Sequence, residues 1–526
     1  MGPLDVNEEQ LEKLQQRLKT QSLTPDDYAC IEVLITTMLF LKREYQEAKL
    51  SLKRLLKMIF GGGTERTENV LGKGKKPDKP ANVKKPKRKG HGRRAAKDYP
   101  GAQMVIIQHN SLRPGDACPA CGKGMLRDSK RPSSILRFCA QPMIKATAYV
   151  IEQLRCNLCD KVFGATPPAE AGGEKYDTNV APMLGIMRYG AGMPLNRMED
   201  LQMALGVPMP AGTQWELLKG YYSDLKGVGD ELQRQAALGQ VMHNDDTSAR
   251  ILELEQKNRA RQAEVPDIKI RTGIFTTGIV SITNEHRIAL YCTGGQHAGE
   301  NLQDILEKRP ADLVAPIQIC DGLSRNEPEN KTTMGNCNVH GRRGFVEIAE
   351  QYPDECKQVL EIYRQLYQNE AHTTQAKLSA EARLKYHQQH SQPLMDGMKL
   401  WMEQKLKNRQ VEPNSSLGKA FNYLLKRWEK LTLFLRTPGV PLDNNICERI
   451  LKTSIRHRNN SLFYKTTNGA QVGDFFMSII QTCRLNDVNP FDYLTTLHRF
   501  AKQTCANLAD WMPWNYKTAA ASQASP

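Results

Sequence analysis

The sequence predicts a multidomain, mixed fold: an N-terminal coiled-coil helix, a cysteine-built ribbon, a helical region, and an α/β core with a large helical insertion. Three observations predict it. An apolar heptad seam runs near the N-terminus, two CxxC pairs flank strand-like runs, and strand and helix patterns succeed one another in a fixed order from Gly239. A chain of 526 residues is also too long for one compact domain.

Residues 1–60 read as helical. Thr24, Pro25, Asp26 and Asp27 form a helix start: a hydroxyl cap, a proline in the first turn, and acids at the positive helix end. Leu34, Met38, Leu41, Tyr45, Ala48, Leu52, Leu55 and Ile59 then recur in alternating four- and three-residue steps. Such a seam packs either on its own protein or on a second copy, and its regularity at a terminus favours self-association. Gly61, Gly62 and Gly63 stop it.

Residues 61–100 are a linker. Its stretch 73–97 carries twelve Lys or Arg and one acid, Asp78, with almost nothing apolar to bury. It reads as disordered when free, and as a phosphate-binding arm in which Lys84, Lys85, Lys87, Arg88, Lys89, Arg93 and Arg94 are candidate contacts. The whole chain has 73 basic and 57 acidic side chains, a formal charge of +16. That surplus points to a polyanion, nucleic acid first and an anionic membrane surface second. No apolar run is long enough to span a bilayer. The start MGPLDVNEEQ lacks the basic and apolar regions of a secretory signal, so a cytoplasmic protein is expected.

Residues 101–170 hold Cys118-Pro-Ala-Cys121 and Cys156-Asn-Leu-Cys159. Each pair aims two thiolates at one ion, and two pairs complete a tetrahedral zinc site. The 34-residue loop between them contains strand-like runs, so a zinc ribbon fits better than a helical finger. Cys139 in that loop has no CxxC partner and reads as a core thiol. The chain has 13 cysteines, and the remaining scattered ones read as reduced thiols. Residues 171–236 read as short helices with glycine-bearing turns. They fit a helix-turn-helix DNA reader or a packing layer.

Residues 237–500 form the core. GQVMHNDDTSARIL, IKIRTGIFTTGIVSI and HRIALYCTG read as strands, NLQDILEK as a helix, and APIQICDG as a fourth strand. Strand, strand, strand, helix, strand is the order of an RNase H-like core. A helical insertion follows over about 340–437, and residues 501–526 are a tail. Asp245 and Asp321 lie where apolar strands meet polar residues, and Glu448 lies near the start of a helix opened by Pro441 and Asp443-Asn444-Asn445. Arg449, Lys452 and Arg456 put cations beside it. Three carboxylates suit phosphodiester cleavage, in which two magnesium ions clamp the attacking and leaving oxygens. Any one of these acids also reads as a solvated surface group, and Asp246 competes with Asp245 for the role. Cys337 and His340 form a CxxH half-site without a second half nearby in sequence. His340, Arg342 and Arg343 read as DNA contacts near the cut or as packing residues, and His243 as a satisfied core histidine.

Ordered motifs along residues 30 to 500 carry a resemblance. They are KMIFGGGTERTE, GHGRR, CPACG, CNLCD, HNDDTSARIL, QICDG, CNVHGRRGFVE, LSAEARLKYHQQHSQPLMDGMKLWME, SSLGKAFNYLLKRWEKLTLFL and PLDNNICERILKTSIRHRNNSLF. Through them the chain resembles the insertion-sequence 66 family of bacterial DDE transposases. The resemblance implies an RNase H-like catalytic core with a helical insertion, two magnesium (or manganese) ions, and catalytic acids at Asp245, Asp321 and Glu448. Asp246 falls where the family usually has glutamate. Leu323 stands where a tyrosine is usual, and Cys337-Asn338-Val339-His340 where Cys-Trp-x-His is usual. The implied activity is binding of an element's terminal inverted repeats, cleavage of its ends, and joining of the 3′ ends to target double-stranded DNA by a nucleoid-associated homo-oligomer. Two rivals remain: an RNase H-like nuclease without strand transfer, and an inactive DNA-binding protein.

Overall fold

The computed structural model describes residues 8–32, 34–35, 38, 111–121, 123–127, 143–155, 162–264, 271–283 and 285–524. Six seam positions (Leu41, Tyr45, Ala48, Leu52, Leu55, Ile59), the arm 73–97, and Cys139, Cys156 and Cys159 lie outside the described residues. The chain divides into two compact units, Lys75–Lys145 and the rest.

In the first unit, Ala117 bridges Met125 in antiparallel fashion, and Cys118 N–H donates to the Gly124 carbonyl at 2.7 Å. This closes a tight turn around Cys118 and Cys121.

In the second unit, a helix spans Glu8–Lys19, and helical structure restarts at Pro25. The expected cap is reciprocal: Asp27 accepts from Thr24 N–H at 2.9 Å, and Thr24 Oγ1 accepts from Asp27 N–H at 3.4 Å. Met38 of the seam is 72% exposed. Two short strands, β1 (Gln153–Arg155) and β2 (Val162–Gly164), pair antiparallel on either side of the second CxxC.

The core is a five-stranded mixed sheet of β3 (Val241–Ser248), β4 (Phe275–Ile282), β5 (Arg287–Gly294), β6 (Ile317–Cys320) and β7 (Thr333–Asn336), in the order β5-β4-β3-β6-β7. β3, β4 and β5 are antiparallel neighbours, while β6 runs parallel to β3 and β7 parallel to β6. The four expected strands are present, and β7 is an addition. Helices α1 (Val180–Gly185), α2 (Leu195–Ala204) and α3 (Ala211–Ala236) precede the sheet. On α3, Leu218, Tyr221, Leu225, Val228 and Leu232 are buried at three- and four-residue steps. That stripe supports the packing-layer reading of residues 171–236.

Between β3 and β4 lies α4 (Leu252–Glu264), and between β5 and β6 lies α5 (Ala298–Leu306). The insertion comprises α6 (Asn338–Ile348), α7 (Pro353–Gln375), α8 (Ala380–His390), α9 (Gln392–Lys407) and α10 (Ser416–Lys426). Its apolar cluster joins Phe345, Tyr363, Met398, Phe421 and Phe434 to Ile319 of β6. The insertion is thus packed onto the strand that leads to Asp321.

Two helices close the core, α11 (Asn445–Ser461) and α12 (Thr467–Leu485). An edge strand exposes a row of unpaired N–H groups. On β5 the N–H groups of Arg287, Ala289, Tyr291 and Thr293 donate to Asn486, Thr482, Ser478 and Asp474, at 3.1, 3.0, 2.9 and 2.7 Å. Four residues of helix rise about 6.0 Å, and two residues of strand about 6.8 Å. The near match lets polar side chains along the C-terminal part of α12 seal the sheet edge.

Candidate active site

β3 places Asp245 and Asp246 on opposite faces, as strand alternation requires. Asp245 pairs in register with Gly278 of β4, and Asp246 with Thr277. The Gly278 face meets α11. A Cβ on Gly278 would lie 2.9 Å from Leu451 Cγ, so this glycine lets the helix approach closely. The Thr277 face meets α5, where Asn301 donates to Thr277 Oγ1 at 2.8 Å. Asp246 faces the same way. His297 Nδ1 lies 3.0 Å from its Oδ2, and Arg325 Nη2 lies 3.1 Å from its Oδ1.

Asp321 directly follows β6. Because His243 of β3 stands opposite Ile319 of β6, continuing that parallel register two residues brings Asp321 opposite Asp245. Adjacent strands lie about 4.8 Å apart. Asp321 Oδ1 accepts from Leu323 N–H at 3.0 Å and from Asn326 Nδ2 at 2.7 Å. Gly322 adopts a left-handed φ of 83°, which favours glycine, and a Cβ there would stand 2.9 Å from Arg427 Nε. Leu323 is exposed and contributes its backbone N–H, so the usual tyrosine is not needed for this turn.

Glu448 comes from the first turn of α11. Asn444, fully buried, staples the entrance of that helix to β3. Its Oδ1 lies 3.0 Å from His243 Nδ1, its Nδ2 donates to the Asn244 carbonyl at 3.1 Å, and its N–H donates to Cys337 Sγ at 3.2 Å. Cys447 Sγ, one residue before Glu448, donates to the Gly278 carbonyl at 3.2 Å. The helix is therefore held over the position paired with Asp245. His243 is a satisfied core histidine, as expected, and burial pushes it down to about 4.

Asp245 senses the other carboxylates. Burial is the largest cause that raises Asp245, Asp321 is the next, and Asp246 and Glu448 add to it, while the N–H of Asp246 opposes. The result is a carboxyl pushed up to about 7. Clustered acids of this kind carry surplus negative charge that a cation relieves. Glu448 Oε1 and His340 Nδ1 are both buried and make no hydrogen bond with the described residues, although they lie 3.9 Å apart. The donor set therefore fits a hard divalent ion bound through oxygen.

The half-site Cys337-x-x-His340 gains a third group that its local sequence did not reveal, because ligand atoms of Cys337, His340 and Glu448 lie within 4.8 Å of one another. Burial pushes the Cys337 thiol up to about 12, and it already accepts the Asn444 N–H. That chemistry makes Cys337 a neutral anchor for α11. Asn338, at the usual tryptophan position, donates to the Leu431 and Leu442 carbonyls at 3.0 and 3.2 Å. Arg342 and Arg343 lie half-buried on α6. Arg449, Lys452 and Arg456 are exposed along one side of α11.

At the expected ribbon, the backbone N–H groups of Lys123 and Gly124 and the thiol of Cys118 lower Cys121. Thiols that face each other under amide donors fit one half of a tetrahedral zinc site.

The sequence description "Transposase IS66 family" matches residues 177–472. The chain is similar to the uncharacterized protein y4hP of Sinorhizobium fredii, with 25% identity over 432 residues that cover 78% of this chain and 75% of that protein. It is also similar to the uncharacterized protein y4jD of the same organism, with 24% identity covering 80% of this chain and 81% of that protein.

Proposed function

The chain belongs to the IS66 family of transposases, and from that premise we propose that it is a DDE transposase in which Asp245, Asp321 and Glu448 form a divalent-metal site. The observation that carries this reading is that Asp245 on β3, Asp321 just past the end of the parallel strand β6, and Glu448 on the helix pinned to β3 converge. The strand order β5-β4-β3-β6-β7 supports an RNase H-like core. Magnesium or manganese held by the three carboxylates would supply charge stabilisation for the attacking and leaving oxygens of a phosphodiester.

The chain's own residues supply the rest. Asp245 would present its oxygens from the sheet and Asp321 from the turn that follows β6, so the site would be preorganised before DNA enters. His340, whose Nδ1 lies 3.9 Å from the Glu448 carboxylate, would donate a hydrogen bond to a phosphate oxygen. Arg449, Lys452 and Arg456 offer a cationic face to the DNA backbone, which positions the duplex without reading its sequence. A zinc ribbon built on Cys118, Cys121, Cys156 and Cys159 and the arm with Lys84, Lys85, Lys87, Arg88, Lys89, Arg93 and Arg94 would add affinity for the element ends. Two ends must be cut together, which calls for an oligomer. Among the described residues no helix is long and apolar enough to cross a membrane.

The test is incubation of the full chain with magnesium and labelled inverted-repeat ends, followed by mapping of cut sites and of joined products in a target plasmid. Glu448→Gln keeps the side chain's size and removes its charge. Cleavage and joining should fall together by at least 100-fold while DNA binding persists. Wild-type cleavage by this variant would sink the assignment, and cleavage without joined products would favour the nuclease reading.

A further inference from the structure

Asp321 is followed by Gly322, Leu323 and a single 3-10 turn over Ser324–Asn326. That turn clasps both strands of the site. The Asn326 carbonyl accepts from Asn244 Nδ2 at 2.8 Å and from Gln318 Nε2 at 2.7 Å. Gln318 Nε2 also donates to Asn244 Oδ1 at 2.9 Å, and Thr332 Oγ1 donates to Gln318 Oε1 at 2.8 Å. Asn244, Gln318 and Asn326 are all fully buried. The neighbouring Arg325 pairs with Asp246 of β3. One turn of chain is thereby fixed to the strand that bears the first acid and to the strand that leads to the second.

The Asn326 side chain is not needed for that grip, because its backbone carbonyl makes the cross-strand bonds. Its amide does something else: Nδ2 donates to Asp321 Oδ1 at 2.7 Å. Its own Oδ1 is buried without a hydrogen-bond partner. A buried acceptor left unpaired costs stability, so an amide at 326 is explained by what its N–H does. Among the described residues, both hydrogen bonds accepted by the Asp321 carboxylate fall on Oδ1.

We propose that Asn326 is a positioning residue that locks the Asp321 carboxylate through Oδ1, leaving Oδ2 as the oxygen offered to a divalent cation; this rests on the carboxylate site proposed above. Partners of this kind orient ligating carboxylates, and their loss typically weakens metal affinity by about 10–100-fold. The lock acts on one rotamer of one ligand, so it should change metal affinity more than it changes folding.

The experiment titrates Mn²⁺ against the full chain without DNA and reads free Mn²⁺ by electron paramagnetic resonance, for the parent, Asn326→Ala, Asn326→Asp and Asp321→Asn. Asn326→Ala should raise the Mn²⁺ dissociation constant by about 10-fold or more with an unchanged or higher unfolding temperature, because the orphan acceptor leaves with the amide. A purely structural asparagine would instead lower the unfolding temperature and leave affinity alone. Asn326→Asp, nearly isosteric, serves if the alanine variant fails to fold. It replaces the donor with a repelling carboxylate and should weaken binding at least as much. If Asp321→Asn loses Mn²⁺ while both Asn326 variants bind within twofold of the parent, the lock is refuted and the carboxylate site stands. If the parent binds no Mn²⁺, or Asp321→Asn binds as the parent does, both are overturned.

Discussion

Gly278→Ala tests how closely α11 must approach the sheet. The added Cβ would stand 2.9 Å from Leu451 Cγ, 3.0 Å from Leu451 Cδ2 and 3.4 Å from Ile450 Cδ1. Carbon atoms rest at about 3.5–4.0 Å, so the Leu451 side chain or the helix that carries it must shift by roughly 0.6–1 Å. Glu448 lies on the turn before Leu451, while Asn444 still pins the helix entrance to β3. The strain should cost about 1–3 kcal/mol of stability. A misplacement near 1 Å at a reacting centre costs about 100-fold in rate, so cleavage of labelled ends should fall by one to two orders of magnitude. Leu451→Ala in the same chain removes the clashing atoms and should restore much of that rate, even though it opens a cavity. The assay is initial cleavage rate at saturating magnesium, alongside unfolding temperature. Parental cleavage by folded Gly278→Ala would refute the reasoning, and so would a double variant no faster than the single one.

Further expectations follow from other parts of the chain. Purified protein should carry about one zinc per chain, and Cys118→Ser should lose it; metal analysis that finds none in protein never exposed to chelator would exclude the ribbon. Deleting residues 73–97 should flatten the salt dependence of DNA binding, since each phosphate contact contributes about 0.9 to the logarithmic slope; an unchanged slope would remove the arm from the interface. Burial pushes Asp474 up from 3.8 to about 7, against the Thr293 N–H and hydroxyl that it accepts. The folded state therefore keeps a proton that the unfolded chain releases above pH 3.8, so stability falls as pH rises from about 4 to about 7, by an amount on the order of 4 kcal/mol. Asp474→Asn keeps an acceptor for Thr293 and carries no charge, so its stability relative to the parent should rise between pH 5 and pH 8 in urea unfolding; a difference that does not change with pH would contradict this.

What could be read from the sequence depended on how local the cause was. The apolar run before Asp321 ends where β6 ends, and the Asp443-Asn444-Asn445 start lies where α11 begins, because strand burial and helix initiation are decided within a few residues. β7 was missed because Thr-Met-Gly-Asn is four residues long and has no apolar run. Asn444 was read as part of a helix start, but its bonds to His243 and Asn244 cross about 200 residues of chain, beyond any periodicity. The role of Gly278 depends on its register opposite Asp245, which no local pattern encodes. Asp474, Ser478, Thr482 and Asn486 recur every four residues along a largely apolar stretch, and these four side chains meet the edge of β5.

The choice between Asp245 and Asp246 shows the same limit. Alternation says that the two face apart, but not which way either faces. The neighbours differ: on the Asp245 side Gly278 packs closely against Leu451 of the helix that bears Glu448, while Thr277, Asn301, His297 and Arg325 lie on the Asp246 side. Asp246 already has a histidine and an arginine beside its carboxylate. Asp245 has the carboxylates of Asp321 and Glu448 among its neighbours, which is why the proposed cation site is placed on its side.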